Sequence, residues 1–116
     1  MTITQHILPN NHLVLNLKGR FDDRARKPVK ESVEKARTET HYDLVLNLTE
    51  VPFLDSSAIG FLALTNDRLK KEKRQLRLVC PQGYVKNLLE LANFHNLIPI
   101  VSTEQEIKGT AVATVK

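Results

Sequence analysis

Residues 42–62 read YDLVLNLTEVPFLDSSAIGFL, and this stretch decides the fold class. Its first seven residues, 42–48, form a short apolar run of the kind found in parallel sheets that are covered on both faces. A bridge containing Pro52 follows, and Asp55 then stands as an N-cap before a helical pattern that extends to about residue 73. A buried strand leading into a helix is the repeating unit of an α/β domain.

The flanking segments continue this alternation. Residues 3–8 and 13–17 are β-prone runs around a turn at 9–11, which predicts an antiparallel hairpin. Pro28 suits the first turn of a helix that ends near Thr38. Further along we predict strands at 76–80 and 98–101, a helix at 84–93, and a helix at 103–113 whose capping box is Ser102 and Gln105. We therefore expect one α/β domain over residues 1–116, with an N-terminal hairpin, a mixed and mostly parallel sheet of about four or five strands, and about four helices.

The amino-acid composition indicates the cellular compartment of the protein and the kind of side chains that fill its core. The chain has 116 residues, of which 41% are hydrophobic and only 5% aromatic, so aliphatic side chains must fill a single core. Cys80 is the single cysteine, which excludes an intramolecular disulfide and fits a reducing cytoplasm. Since no segment approaches the roughly 20 apolar residues of a membrane span, we expect a cytoplasmic protein with no membrane partner.

The net charge of +4 raises the question of nucleic-acid binding. Basic residues gather at 20–30 and 68–77, but acidic residues interrupt both clusters and no aromatic side chains are interleaved with them. We therefore read both clusters as exposed helix surface or helix flank, with no direct nucleic-acid partner.

The helix after Asp55 carries the candidate site. At 100° per residue, Ser56 lies on one exposed stripe, while Ser57 lies about a quarter-turn away. That stripe, on which we expect a partner to dock together with Ser57, comprises Ser56, Gly60, Ala63 and Asp67. Because Asp and Ser are also favoured at the start of any helix, an ordinary helix start is the alternative reading of these residues. Phe61 and Leu64 face away from the core, and we expect them to pack on a neighbouring helix, with a docking patch as the alternative.

The order of motifs resembles one known family over nearly the full chain. The segments that carry the resemblance are LKGRFD at 17–22, LVLNL at 44–48, FLDSSAIGFL at 53–62, the strand that ends at Cys80-Pro81, and VKNLL at 85–89. They resemble the anti-sigma factor antagonists, whose fold is the STAS domain.

The resemblance implies a partner-switching regulator. In that family the serine directly after the motif aspartate is phosphorylated by a partner that is both a serine kinase and an anti-sigma factor, and a PP2C-type serine phosphatase removes the phosphate. By this correspondence Ser56 is the acceptor, with Ser57 as the second choice, and the unphosphorylated chain binds the kinase. The chain departs from the family at Ala58, where glycine is usual. The alternative is a non-phosphorylated STAS scaffold subunit of a larger assembly, such as a lipid-transport or stress-sensing complex.

Enzyme readings find less support in the sequence. A phospho-aspartate receiver centred on Asp55 would need clustered carboxylates for a divalent cation and a lysine after a later strand, but the strand at 76–80 ends in Cys80-Pro81. The four histidines have no ligand spacing, so we predict no metal site and place them at the surface or its boundary. No glycine-rich phosphate loop is present, so we expect no cofactor and no catalytic residues.

Overall fold

The computed structural model describes residues 1–9, 11–80 and 83–107. The chain opens with an antiparallel hairpin of β1 (Thr2–Leu8) and β2 (His12–Lys18), whose register pairs Leu8 with His12. Three further strands follow in chain order: β3 (Asp43–Glu50), β4 (Leu76–Val79) and β5 (Ile100–Val101). Their spatial order is β1-β2-β3-β4-β5, and every pair after the hairpin is parallel. The predicted α/β fold with a mixed, mostly parallel five-stranded sheet is confirmed.

Three helices cover one face of this sheet. They are α1 (Asp23–Glu39), α2 (Ser56–Lys71) and α3 (Tyr84–Leu91), and a 3₁₀ turn at Phe94–Asn96 follows α3. None of the helices in the described ranges is long and apolar enough to cross a membrane. Leu44, Leu46 and Leu48 of β3 face the helices, whereas Val45 points to the other face and is also fully buried. The central strand is therefore buried on both faces, as its unbroken apolar run predicts.

Helix α1 begins five residues earlier than Pro28 suggests. The Asp22 carboxylate accepts a hydrogen bond from the Arg24 amide at 3.1 Å, so Asp22 is the N-cap and Pro28 lies inside the helix. The prediction that Pro28 occupies the first turn is therefore wrong. A side-chain cap satisfies an otherwise free amide, and that gain outweighs the preference of proline for the first turn.

Strand β5 is shorter than the predicted 98–101. The Ile98 amide donates to the Phe94 carbonyl at 2.8 Å, and Pro99 has no amide hydrogen, so neither residue can donate to a sheet ladder. After β5 the chain is helical at 104–107, where the Glu106 carboxylate accepts from the Ser102 amide at 2.8 Å. The side chain that reaches back to Ser102 is thus that of Glu106 and not that of Gln105. The rest of the predicted helix, 108–113, lies outside the described residues.

Two polar residues expected near the surface are buried. Arg74 is only 6% exposed, because its guanidinium donates to the carbonyls of Arg37 and Tyr42. His12 is 5% exposed, and its Nε2 lies 2.9 Å from an Arg77 guanidinium nitrogen. Reading the whole 68–77 cluster as exposed surface is therefore wrong at Arg74, and the boundary position expected for the histidines is wrong at His12. Both side chains find backbone or side-chain partners that sequence spacing does not reveal.

Candidate functional site

The connection between β3 and α2 is held against the segment after β2. Phe21 and Leu54 form a parallel bridge that extends the β2–β3 ladder past the ends of both strands. The Phe21 amide donates to the Phe53 carbonyl at 2.8 Å, and the Asp55 amide donates to the Phe21 carbonyl at 3.3 Å. This pairing places Asp55 at the carboxyl edge of the parallel sheet, the edge at which open α/β sheets hold their functional sites.

Asp55 is the N-cap of α2. Its Oδ1 accepts the Ala58 amide at 2.9 Å and the Ser57 hydroxyl at 2.7 Å. The hydroxyl of Ser57, followed by the amide of Ala58, holds the pKa of the Asp55 carboxyl below its ordinary value. Asp55 is therefore a carboxylate fully engaged in starting the helix, and its charge is stabilised there.

The two serines have different surroundings. Ser57 is half-buried and its hydroxyl is committed to Asp55. Ser56 is exposed, and its hydroxyl has no hydrogen-bond partner among residues 1–9, 11–80 and 83–107. Ser56 is thus the hydroxyl of this pair that an external reagent can reach without breaking the cap.

The stripe that shares a face with Ser56 is small and mostly exposed. Gly60 and Asp67 are exposed, and Ala63 is half-buried. A β-carbon added at Gly60 would meet nothing within 4 Å, so the helix backbone is open to a visiting surface at that point. Asp67 forms an ion pair with Lys71 at 3.2 Å, one turn further along. On the opposite side the helix buries Ala58, Leu62 and Leu69 in the core.

Comparison with known proteins identifies the family. The family model described as STAS domain matches residues 3–107 of this chain. The chain belongs to the STAS-domain family. A STAS-domain containing protein of Pseudomonas aeruginosa (strain UCBPP-PA14) is 34% identical over 89 residues, covering 76% of this chain and 86% of that protein. The anti-sigma-B factor antagonist of Listeria monocytogenes is 25% identical over 99 residues, covering 85% of this chain and 87% of the relative.

Solved structures share the STAS fold at lower identity. The anti-sigma factor antagonist SpoIIAA in its unphosphorylated form superposes with a TM-score of 0.72 at 16% identity, covering 95% of this chain and 97% of SpoIIAA. The phosphorylated form of SpoIIAA from Bacillus gives a TM-score of 0.71 at 15% identity, covering 94% of this chain and 99% of that chain. At these identities the likeness concerns the fold alone.

In this STAS domain a basic and aromatic cluster also lies at the carboxyl edge, and the sequence reading missed it. The Phe53 ring stacks on Tyr84, with ring centroids 6.1 Å apart and an interplanar angle of 9°. The Arg20 guanidinium lies 4.2 Å from the centroid of the Phe53 ring, and Tyr84 is 57% exposed. These residues follow β2, β3 and β4, so only the parallel sheet brings them together. A basic residue shortly after β2 and aromatic residues shortly after β3 and β4 would have been the signal to look for.

Ala58 stands where the family usually has glycine, and the STAS fold accommodates it. Its side chain is fully buried on the core side of α2, while its amide donates to Asp55. Since the methyl group points inward, the substitution leaves the face that carries Ser56 unchanged. Cys80 is buried as well, and burial raises the pKa of its thiol, which disfavours a nucleophilic thiolate.

Proposed function

We propose that this STAS domain is an anti-sigma factor antagonist that works by partner switching and is not itself an enzyme. In the unphosphorylated state it binds an anti-sigma factor that is also a serine kinase, and phosphorylation of Ser56 releases it. The observation that carries the proposal is the division of roles between the serines: Ser57 completes the Asp55 cap, and Ser56 presents a free hydroxyl at the first turn of α2. The Listeria relative is an anti-sigma-B factor antagonist, which supports the same function.

The first turn of α2 suits a phosphate. Phosphorylation adds about −1.5 to −2 charges at pH 7, and the free amides and positive end of the helix dipole favour an anion at this place. Since Ser56 contacts no described side chain through its hydroxyl, the modification leaves the Asp55 cap and the core intact. The phosphate therefore acts on the partner, because a docked surface that buries an unpaired dianion loses binding free energy.

The small stripe of α2 gives the kinase partner close access. Ser56, Gly60, Ala63 and Asp67 lie in one row without a bulky side chain, and we assign them, together with Ser57, to the partner-binding surface. The kinase supplies the nucleotide, and a PP2C-type phosphatase resets the switch, so the domain needs no cofactor of its own. The proposal places the protein in the cytoplasm and assigns it no direct nucleic-acid or membrane partner.

The decisive experiment is mass spectrometry of the protein from its own cells, followed by binding assays. We expect a single phosphate on Ser56, lost in Ser56→Ala and retained in Ser57→Ala. Ser56→Asp is expected to bind the kinase at least about tenfold more weakly than wild type. Gln75→Glu, which adds one charge in the loop before β4, is the matched control and should bind as wild type does.

An unmodified chain in all growth conditions, or equal binding of Ser56→Asp and wild type, would contradict the switch. Constitutive co-purification of the unmodified chain with a stable complex would instead support the scaffold function. Ala58 does not favour either the switch or the scaffold function, because its buried methyl group changes neither Ser56 nor Ser57.

A further inference from the structure

Helices α1 and α2 enclose a groove of about 580 Å³ that borders the proposed partner-binding surface and shares Ser57 and Gly60 with it. Each wall is one stripe of a helix at spacings of three or four residues. The α1 wall consists of Arg26, Lys30, Val33, Glu34 and Arg37, and the α2 wall consists of Ser57, Gly60, Phe61, Leu64, Thr65 and Arg68. This volume lies within the range of about 300–1,000 Å³ that is typical of small-molecule sites.

The lining of the groove is apolar in its middle part. Val33 is buried at its base, Phe61 is half-buried with its ring edge-on to Phe21, and Leu64 is 65% exposed. Gly60 contributes no side chain, and a β-carbon placed there would meet nothing within 4 Å. The expected packing on a neighbouring helix is therefore wrong for Leu64, because most of its side chain is exposed. The expectation that Phe61 faces away from the core is wrong as well, because its ring packs on Phe21 in the core. An apolar ligand would find room here beside side chains that are otherwise in water.

The charges of the groove are unevenly distributed. At one end Glu34 accepts from Arg37 at 2.7 Å and from Arg68 at 2.5 Å, so the carboxylate is already paired and its pKa is lowered, chiefly by the hydrogen bond from Arg37. Towards the other end, Arg26 and Lys30 are exposed, and neither forms an ion pair with any described residue. They lie one turn apart on α1, so both can reach the same anion.

The orientation of the helices places these two cations next to the apolar part. Both helices connect parallel strands and run in the same direction, and Glu34 meets Arg68 across the groove. Arg26 and Gly60 each precede that contact by eight residues, which is about 12 Å along an α-helix. Lys30 and Leu64 each precede it by four residues. Arg26 thus stands at the N-terminal end of the groove beside Gly60, and Lys30 stands level with Leu64, between Arg26 and the Glu34 ion pairs.

We propose that this groove binds an amphiphilic carboxylate of the fatty-acid class. The acyl chain lies along Val33, Phe61 and Leu64, and the carboxylate accepts charge-assisted hydrogen bonds from Arg26 and Lys30. The unpaired cations select an anion over a neutral amphiphile of the same length. Ser56 is not part of the groove lining, and an acidic helix of a partner protein is the competing occupant that the experiment must exclude.

The test is a titration of the isotopically labelled full chain with decanoate, followed by amide NMR shifts. We expect saturable shifts centred on Gly60 and Leu64, and about tenfold weaker binding of decanol. Lys30→Glu should weaken decanoate binding about tenfold, because an attraction is replaced by a repulsion. Lys27→Glu is the matched control: it makes the same charge change at an exposed position of α1 outside the groove and should change affinity by less than about twofold.

A second variant removes the apolar contact without touching the cations. Leu64→Asn changes an exposed side chain and adds no charge next to Lys30, so the fold should survive, and saturable binding should disappear. Equal affinities for decanol and decanoate, or equal effects of Lys30→Glu and Lys27→Glu, would overturn the proposal. It would also be overturned if an acidic amphipathic peptide shifted these amides while decanoate did not. None of these readouts requires phosphorylation of Ser56, so they can fail without contradicting the partner switch.

Discussion

Arg74 holds the end of α1 against the beginning of β3, and its removal should destabilise the domain severely. Its Nε and one terminal nitrogen donate to the Tyr42 carbonyl at 2.9 and 2.6 Å. The other terminal nitrogen donates to the Arg37 carbonyl at 2.9 Å and to Glu72 Oε1 at 3.1 Å. A single side chain, only 6% exposed, thus satisfies one carbonyl group in the last turn of α1 and one in the loop that precedes β3.

The substitution Arg74→Met keeps most of the aliphatic stem but removes every donor. Each carbonyl left without a partner costs about 1–3 kcal/mol, and because the losses share one side chain we expect a total of about 3 kcal/mol and not their full sum. For a domain of this size that corresponds to a fall in Tm of roughly 10–15 °C. Urea denaturation followed by circular dichroism measures it, and the m value should stay unchanged.

Two further variants make the test specific to the guanidinium. Arg74→Lys keeps the charge but not the planar fork, so it should recover less than half of the loss. Lys70→Met removes a charge from an exposed position of α2 and should change the free energy of unfolding by less than about 0.5 kcal/mol. If Arg74→Met were within about 1 kcal/mol of wild type, the two carbonyls would have other partners and the role assigned to Arg74 would be refuted.

Two predictions concern α2 and its contact with α1. Gly60→Ala should raise the free energy of unfolding by about 0.5–1 kcal/mol, because alanine loses less backbone entropy on folding than glycine and the new methyl group meets nothing within 4 Å; a lower Tm than wild type would show that the site is not open. The pKa of Glu34 lies below its ordinary value of 4.5 in the folded state, so its stabilising contribution is present above pH 4.5 and is lost as the pH falls through the folded value. Glu34→Gln should therefore lose stability less steeply than wild type on acidification, as measured by thermal denaturation at a series of pH values; parallel curves would contradict the assignment.

The candidate site was accessible from the sequence because it is local. An aspartate followed by two serines before an apolar run specifies an N-cap and a first turn, and the 100° rotation per residue separates Ser56 from the core-facing Ala58. The division of roles between Ser56 and Ser57 could not be predicted from the sequence. Ser57 donates to Asp55 and Ser56 does not, and that difference depends on side-chain rotamers at the helix start.

Features that join distant segments could not be read from the sequence. The stacking of Phe53 on Tyr84, with Arg20 over the Phe53 ring, requires three strands to end at one edge of the sheet. In the sequence Arg74 is one of several residues in a basic cluster. Its burial depends on the carbonyls of Arg37 and Tyr42, which only the fold brings next to it.

The sequence by itself determined the order of strands and helices, the parallel sheet and the cap at Asp55, because periodicity and capping depend on neighbours in the chain. Only the tertiary structure decided the exact ends of the helices and strands and which polar groups are buried. It also decided that α1 and α2 leave a groove between Lys30 and Leu64. Those properties follow from the packing of side chains from remote segments, and a pattern of short-range preferences contains no information about which remote groups will meet.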